Sequence, residues 1–425
     1  MYGVVSLSAA TSTDHLDALA EVRDFAQTDM GRGPPHRYTY RVLSEPMLTN
    51  ELHRLSHPFV KGKVAGVSLQ PCPLHEFQNQ DRFYTESWPT PSGPWTFNAV
   101  LDGHVGHSTV DYAVHHLPVI VRRTLESYLR ARRGSFSSTD ISRILADAIV
   151  QCDNAITNNF VALFPGGAPA MRSMSNEQIQ SVLRVPANHV ASIRCLHGST
   201  ALLSLSDPSS EHVWIANLGD CQAVLASKHQ SGRWSATYVS DLHDGDNLAE
   251  IQRIQREHPG EREACKDNRV IGFLGPTRSL GDTWLKLDRV YSQRALLSFR
   301  SEWNVDKPET FISRLHSPPY VSSTPDVRHI RLPRPASGSQ ARHALLLCSD
   351  GLPDLYNARF DTRGEMVAHW VQAIGDALDA RSNNAALVLL RDALGGEDLR
   401  SVASYLTVEM DERWMDDVTI LVQRL

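Results

Sequence analysis

No stretch of this 425-residue sequence approaches the roughly 20 consecutive apolar residues that a membrane-spanning helix needs, and no membrane span is expected. A basic stripe is also missing. Charges of both signs are dispersed along a chain of formal net charge −6, so nucleic acid is excluded as an expected partner. Cysteine is sparse: Cys72, Cys152, Cys195, Cys221, Cys265 and Cys348 stand far apart with no C-x-x-C pair. That spacing removes the pattern of a zinc site or a disulfide framework and leaves reduced, buried thiols as the expectation. Residues 1–10 are apolar but lack the basic start of a secretory signal, and Asp14, Asp17, Glu21 and Asp24 follow too soon for an acid-poor mitochondrial presequence. Either the chain is not imported or its presequence lies outside the sequence. No internal repeat is evident.

What the sequence does have is enough apolar material, 41% of residues, for a sizeable core in one large domain or two ordinary ones. The first part, to about Cys72, reads as turns and an extended arm around Gly31, Gly33, Pro34, Pro35 and Pro58. Beyond it, short β-branched apolar runs at 96–101, 200–206, 212–217, 221–226, 236–239, 344–348 and 418–422 favour strands. Segments 107–131, 138–164, 246–258, 364–380 and 384–394 carry apolar residues at spacings of three and four, as in Ile141, Ile144, Leu145, Ile149 and Cys152, and favour helices. Several strands come in direct succession between His197 and Val239, which fits antiparallel pairing better than a doubly wound parallel sheet. The expected fold is an α/β (α+β) sandwich, two antiparallel sheets packed face to face and flanked by helices. Residues 283–319 read as an inserted segment, and the Pro- and Ser-rich stretch 333–339 as a loop.

One pattern in this frame carries chemistry. The apolar run 97–101 ends abruptly in Asp102-Gly103-His104, the run 344–348 leads into Ser349-Asp350-Gly351, the run 212–218 ends in Gly219-Asp220, and Asp416-Asp417 opens the last strand. A single Asp-Gly after a strand is commonly a plain turn. Four acidic strand ends are harder to dismiss, because carboxylates projecting into one cleft supply the oxygen ligands that Mg²⁺ and Mn²⁺ prefer, and Gly103 lets a backbone carbonyl approach an ion. Two such ions could activate water and orient a phosphoryl group.

Asn79-Gln80-Asp81-Arg82, Asp102-Gly-His104, Gly198-Ser-Thr200, Gly219-Asp220, Thr277-Arg-Ser-Leu-Gly-Asp282, Ser349-Asp-Gly351 and Asp416-Asp-Val-Thr419 occur in the order found in type 2C metal-dependent serine/threonine phosphatases, and the chain resembles that family from about Val67 to its end. It is most similar to the pyruvate dehydrogenase phosphatase branch through Ser240-Asp-Leu-His-Asp-Gly-Asp-Asn247, Arg253-Ile-Gln-Arg-Glu-His-Pro259, the stretch from Asn268 to Arg278, and Pro318-Pro-Tyr-Val-Ser-Ser-Thr-Pro325. The resemblance implies a domain order of an N-terminal extension over 1–66 and a catalytic domain over 67–425. It implies that Asp102 bridges two Mg²⁺ or Mn²⁺ ions, with the Gly103 carbonyl on one and Asp350 and Asp416 on the other. Asp81 would orient water at the ions, and His104 would protonate the leaving seryl or threonyl oxygen, with a helix-entry histidine bonded to backbone as its bland alternative. Asp220 and Asp354 match positions that, with Asp350, hold a weaker third ion in some relatives, or else they are solvated turn carboxylates.

The implied substrate is a phosphoprotein, of the pyruvate dehydrogenase type if the branch is followed, and the implied compartment is the mitochondrion, with the cytoplasm as alternative. The sequence is silent on oligomeric state. Three departures stand out: Gln80 where the family has Glu, Glu76 where some relatives have a phosphate-binding Arg, and Pro353 where Trp is common. The branch also lacks that Arg, so Glu76 supports the branch resemblance, while Gln80 and Pro353 motivate a rival, a pseudophosphatase that keeps the fold as a binding module. Arg278 reads either as a phosphate contact or, preferably, as an Arg paired to a carboxylate. The eight tryptophans show no stacking period and read as core or interface aromatics.

Overall fold

In the computed structural model, residues 24–74, 78–303, 305–333, 343–357 and 359–425 are described. The readings placed on residues 1–10, on Glu76 and on most of the 333–339 loop lie outside them. The chain forms two units, the first comprising described residues within 24–79 and 350–422, the second 80–349 with 423–425.

The first unit opens with β1 (Phe25–Thr28), β2 (Tyr38–Arg41), α1 (Met47–Ser56), β3 (Phe59–Lys61) and β4 (Val64–Leu69). The second holds β5 (Arg82–Thr90), β6 (Gly93–Leu101), β7 (Gly103–His104), α2 (Ser108–Ala131), α3 (Ser138–Val161), α4 (Gly167–Ser173), α5 (Asn176–Leu183) and α6 (Pro186–Leu196). It continues with β8 (Gly198–Ser199), β9 (Ala201–Ser206), β10 (His212–Leu218), β11 (Gln222–Lys228), β12 (Trp234–Tyr238) and α7 (Leu248–Glu257). After β13 (Cys265–Lys266), β14 (Arg269–Val270) and β15 (Leu280–Gly281) come α8 (Arg289–Arg294), α9 (Pro308–Ile312), β16 (Asp326–Arg331) and β17 (His343–Cys348). The chain returns to the first unit with α10 (Gly351–Asp354), α11 (Arg363–Asp379), α12 (Ala385–Leu394), α13 (Leu399–Thr407) and the first five residues of β18 (Val418–Arg424). The class is mixed α/β with antiparallel sheets and helices, as expected, and among the described residues no helix is long and apolar enough to cross a membrane.

In the second unit a five-stranded sheet runs β16-β10-β9-β6-β5, every pairing antiparallel. Its strands alternate with period two. Trp95, Phe97, Ala99 and Leu101 of β6 join Ala201, Leu203 and Leu205 of β9 and Trp214, Ala216 and Leu218 of β10 in one core. Onto that face α2 lays Val110, Ala113, Leu117, Val121 and Leu125, and α3 lays Ile141, Leu145, Ala148, Ile149 and Cys152. Each such large side chain withdrawn from water contributes about 1.5–3 kcal/mol. The opposite face is buried too, and its polar members pair: Asn98 Nδ2 donates to Ser204 Oγ at 3.0 Å and to Gln423 Oε1 at 2.8 Å.

A second core lies in the same unit. Ile156 and Phe160 of α3, Phe164, Ile193 and Leu196 of α6, and Trp284, Leu285, Tyr291, Leu296, Trp303 and Ile312 pack together. The segment 283–319 is therefore built of short helical turns that share an apolar core with the α4–α6 region.

The first unit corrects the reading of residues up to 72 as turns and an extended arm, since β1 pairs with β2 and β3 with β4 there. These elements are three to ten residues long, too short to display a period. Asn384, the N-cap of α12, ties them to the later helices by donating to the carbonyls of Phe59 and Gly66, each at 3.1 Å.

Arg278 takes the structural role. Its Nη2 and Nε donate to Glu250 Oε1 and Oε2 at 2.7 and 3.0 Å, and Arg253 and Thr277 donate to the same carboxylate. Burial pushes the Glu250 carboxyl up, but these donors override it and hold the group well below the usual range. The stability it contributes is full above the unfolded carboxylate pKa of about 4.3 and is lost as pH falls through the lower folded value. Arg278→Ala is expected to cost about 3–5 kcal/mol by stranding part of a buried charge. A urea melt at neutral pH checks this, and a loss below about 1 kcal/mol would mean the pair is solvated.

Candidate metal centre and its proton donor

Asp102 leaves the end of β6 with its backbone held from both sides: its N–H donates to Thr200 Oγ1 at 3.0 Å and its carbonyl accepts from Thr200 N–H at 2.8 Å. A small antiparallel sheet, β15-β8-β7, continues from there, with Gly103 opposite Ser199 and His104 opposite Gly198. Asp220 leaves the end of β10 one residue beyond Gly219, and carboxylate oxygens of Asp102 and Asp220 lie within 4.8 Å of each other. Behind them Asp81 is buried, its Oδ2 accepting from Ser349 Oγ at 2.6 Å. Burial, with the fields of Asp102, Asp220 and Asp81 adding to it, holds the nearby Cys221 thiol well above its ordinary range despite a hydrogen bond shared with Thr200.

His104 and Asp282 face each other beside these acids, Nε2 to Oδ2 at 2.7 Å. Asp282 is fully buried, and its Oδ2 also accepts from Ser279 Oγ at 2.5 Å. Burial lowers the His104 pKa, but the Asp282 charge and hydrogen bond, helped by Asp220, raise it above the ordinary value. Gly198 makes room for the pair: a Cβ there would lie 1.9 Å from His104 Nε2 and 2.2 Å from Asp282 Oδ2. His197 is the next neighbour. Its Nδ1 accepts from Ser108 N–H at 3.1 Å, and burial together with the charges of His104 and His107 pushes its pKa down to about 4. It is neutral at pH 7.

In the first unit the remaining acids gather around α10. Asp350 occupies the N-cap of that helix and Asp354 ends it. Burial, then the charge of Asp416, pushes the Asp354 carboxyl up. Asp416 accepts from Arg413 Nη2 and from Asp417 N–H, and it is about half exposed, whereas Asp417 is buried and accepts from Gln70 Nε2 at 2.9 Å. Gly351 permits the close approach, since a Cβ there would lie 2.1 Å from the Asp417 carbonyl oxygen. Pro353 stands in the first turn of α10, where its missing N–H removes no helical hydrogen bond.

Asp102 with Asp220 is a crowded carboxylate pair that like charges resist and hard divalent cations relieve, and the charge of Asp416 acts on Asp354 as well, so the donor set fits such ions. Asp282, Lys286, Asp153 and His197 were not picked out as site residues from sequence. The available signal was Gly281-Asp282 at the end of Thr277-Arg-Ser-Leu-Gly-Asp, a fifth acidic strand end.

The sequence pattern of the family described as Protein phosphatase 2C matches residues 75–372. A protein phosphatase 2C homolog of Schizosaccharomyces pombe is 27% identical over 381 residues, covering 84% of this chain and 78% of that protein. The human mitochondrial pyruvate dehydrogenase (acetyl-transferring) phosphatase 2 is 29% identical over 259 residues, covering 53% of this chain and 47% of that protein. The chain thus spans about half the length of that relative. Among solved structures, a serine-threonine phosphatase 2C from Toxoplasma gondii aligns over 87% of this chain and 97% of that one, with 17% identity and a TM-score of 0.48.

Proposed function

The chain belongs to the protein phosphatase 2C family, whose members are protein serine/threonine phosphatases, and from that premise we propose that it hydrolyses phosphoserine and phosphothreonine esters at a pair of divalent cations. The observation that carries this reading is the Asp102–Asp220 crowding with the His104–Asp282 pair beside it. Asp102, the Gly103 carbonyl, Asp350 and Asp416 would hold two Mg²⁺ or Mn²⁺ ions, and Asp220 and Asp354 would share a weaker third with Asp350. Bound there, the ions would supply a water acidic enough to act at neutral pH and positive charge against the phosphoryl oxygens. No covalent phosphoenzyme is required.

The chain's own residues do the rest. Asp81 orients water from outside the ligand set. Asp282 holds His104 through Nε2–H, which leaves Nδ1 to deliver a proton to the seryl or threonyl oxygen as its bond to phosphorus breaks. On this reading the catalytic domain spans 67–425 with its insertion at 283–319, behind an extension over 1–66. A pyruvate dehydrogenase-like phosphoprotein as substrate, and with it the mitochondrion, is supported by what relatives such as the human phosphatase are named for.

The rival, a pseudophosphatase, is motivated by Gln80, and the intact His104–Asp282 pair argues against it. The test is phosphate release from a phosphothreonine peptide. Release is expected with Mn²⁺, and chelation should lower it at least about 100-fold, reversibly. Turnover undiminished after verified metal removal would reject the metal mechanism, and no release with Mn²⁺ would leave the binding module.

A further inference from the structure

Asp282 sits in a backbone conformation that side chains other than glycine rarely adopt, φ 43° and ψ 34°. Such a residue persists only where its surroundings over-determine it. Here they do so through a buried ion pair that the proposed reaction leaves unused. Asp153, on the buried face of α3, is 5% exposed in its side chain, and Lys286, four residues beyond Asp282, is 9% exposed. Lys286 Nζ donates to Asp153 Oδ1 at 2.8 Å and to the Ser279 carbonyl at 2.8 Å. Asp153 Oδ1 also accepts from Gly281 N–H at 2.9 Å. The two charges thus grip the turn at residues 279 and 281, on either side of Leu280, and the Ser279 hydroxyl and the His197 carbonyl, which accepts from Asp282 N–H at 2.9 Å, fix what remains.

We propose that Lys286 and Asp153 are positioning residues for the proton donor: their ion pair anchors the 279–282 turn to α3, so that Asp282 keeps the His104 ring aimed at the leaving oxygen. This rests on the phosphatase reading given above. Neither residue is placed to touch substrate. Burying both charges is a poor way to gain stability alone, because apolar side chains of similar volume commonly do as well, whereas a pair with two backbone contacts on one catalytic turn fixes geometry.

A phosphothreonine peptide has a poor leaving group and needs the proton. p-Nitrophenyl phosphate has a good one and needs it far less. With Mn²⁺ saturating, Lys286→Met is expected to lower kcat on the peptide about 30- to 100-fold with KM changed less than about threefold, and to lower kcat on p-nitrophenyl phosphate at least ten times less than on the peptide. If Lys286→Met does not fold, Asp153→Asn/Lys286→Met, which leaves no stranded charge, carries the same expectation. In a His104→Gln background the substitution should add no further loss. Equal losses on both substrates, or losses that multiply with those of His104→Gln, would overturn the proposal. Wild-type protein inactive on both esters would instead remove the phosphatase reading beneath it, a result distinguishable because it appears before any substitution.

Discussion

Asp102→Asn should lower phosphate release at least about 1,000-fold and leave a cooperatively folding protein, and Asp350→Asn should do the same. Asparagine keeps the shape and one carbonyl oxygen, but it loses the charge that offsets a divalent cation and turns an NH₂ donor towards the site. The backbone of Asp102 is held by Thr200 through main-chain contacts, which the substitution does not touch. The fold should therefore outlast the site. In the metal-free protein Asp102→Asn is expected to be neutral or mildly stabilising, because it relieves repulsion with Asp220. Adding Mn²⁺ at about 100 times its Kd should stabilise wild type by about 2.7 kcal/mol through linkage and the variants by much less. Melting curves with and without Mn²⁺, run beside turnover, check both parts. A variant that keeps near-normal turnover and the same metal-induced shift has not lost a ligand.

Asp282→Asn is expected to lower kcat on a phosphothreonine peptide by about 10²–10³-fold, within the range that general-acid catalysis supplies. The amide offers no charge to offset a protonated imidazole, and the buried position gives water no route to replace it. Because Ser279 Oγ donates to the same carboxylate oxygen, the turn keeps one of its contacts and the melting temperature should fall only modestly. Steady-state kinetics on the peptide and a thermal melt decide it. An activity loss that merely tracks loss of fold would assign Asp282 a structural role.

The scaffold was largely legible because its elements are long and amphipathic. The helices at 108–131 and 138–161 announce themselves through residues such as Leu117, Val121 and Leu125, and the strand ending at Leu101 through Trp95, Phe97 and Ala99. β5 escaped notice because Arg82, Glu86 and Pro89 make its sequence look like a loop, although its backbone pairs with β6 over nine residues. The acids at strand ends could be read singly, but what joins them could not. Asp153 follows Cys152 on a helix face recognised as apolar, and only tertiary contact shows that it meets Lys286 from 133 residues away. The His104–Asp282 pair has the same character: His104 is legible from Asp102-Gly-His104, while Asp282 ends Thr277-Arg-Ser-Leu-Gly-Asp282 and only tertiary contact joins the two across 178 residues.

Strand order carries a kinetic consequence. β6 lies beside β9, yet α2 to α6 come between them in the chain, and the small sheet that carries His104 brings residues 103, 199 and 280 into register. Pairings of that sequence separation form late and slowly, after local helical contacts. Asp102 and His104 are therefore among the last groups to reach their places, and a chain arrested with its helices formed but β6 and β9 unpaired has not brought Asp102, His104 and Asp282 together. Regain of activity after denaturation should then report completion of the sheet, lagging behind the return of helical signal.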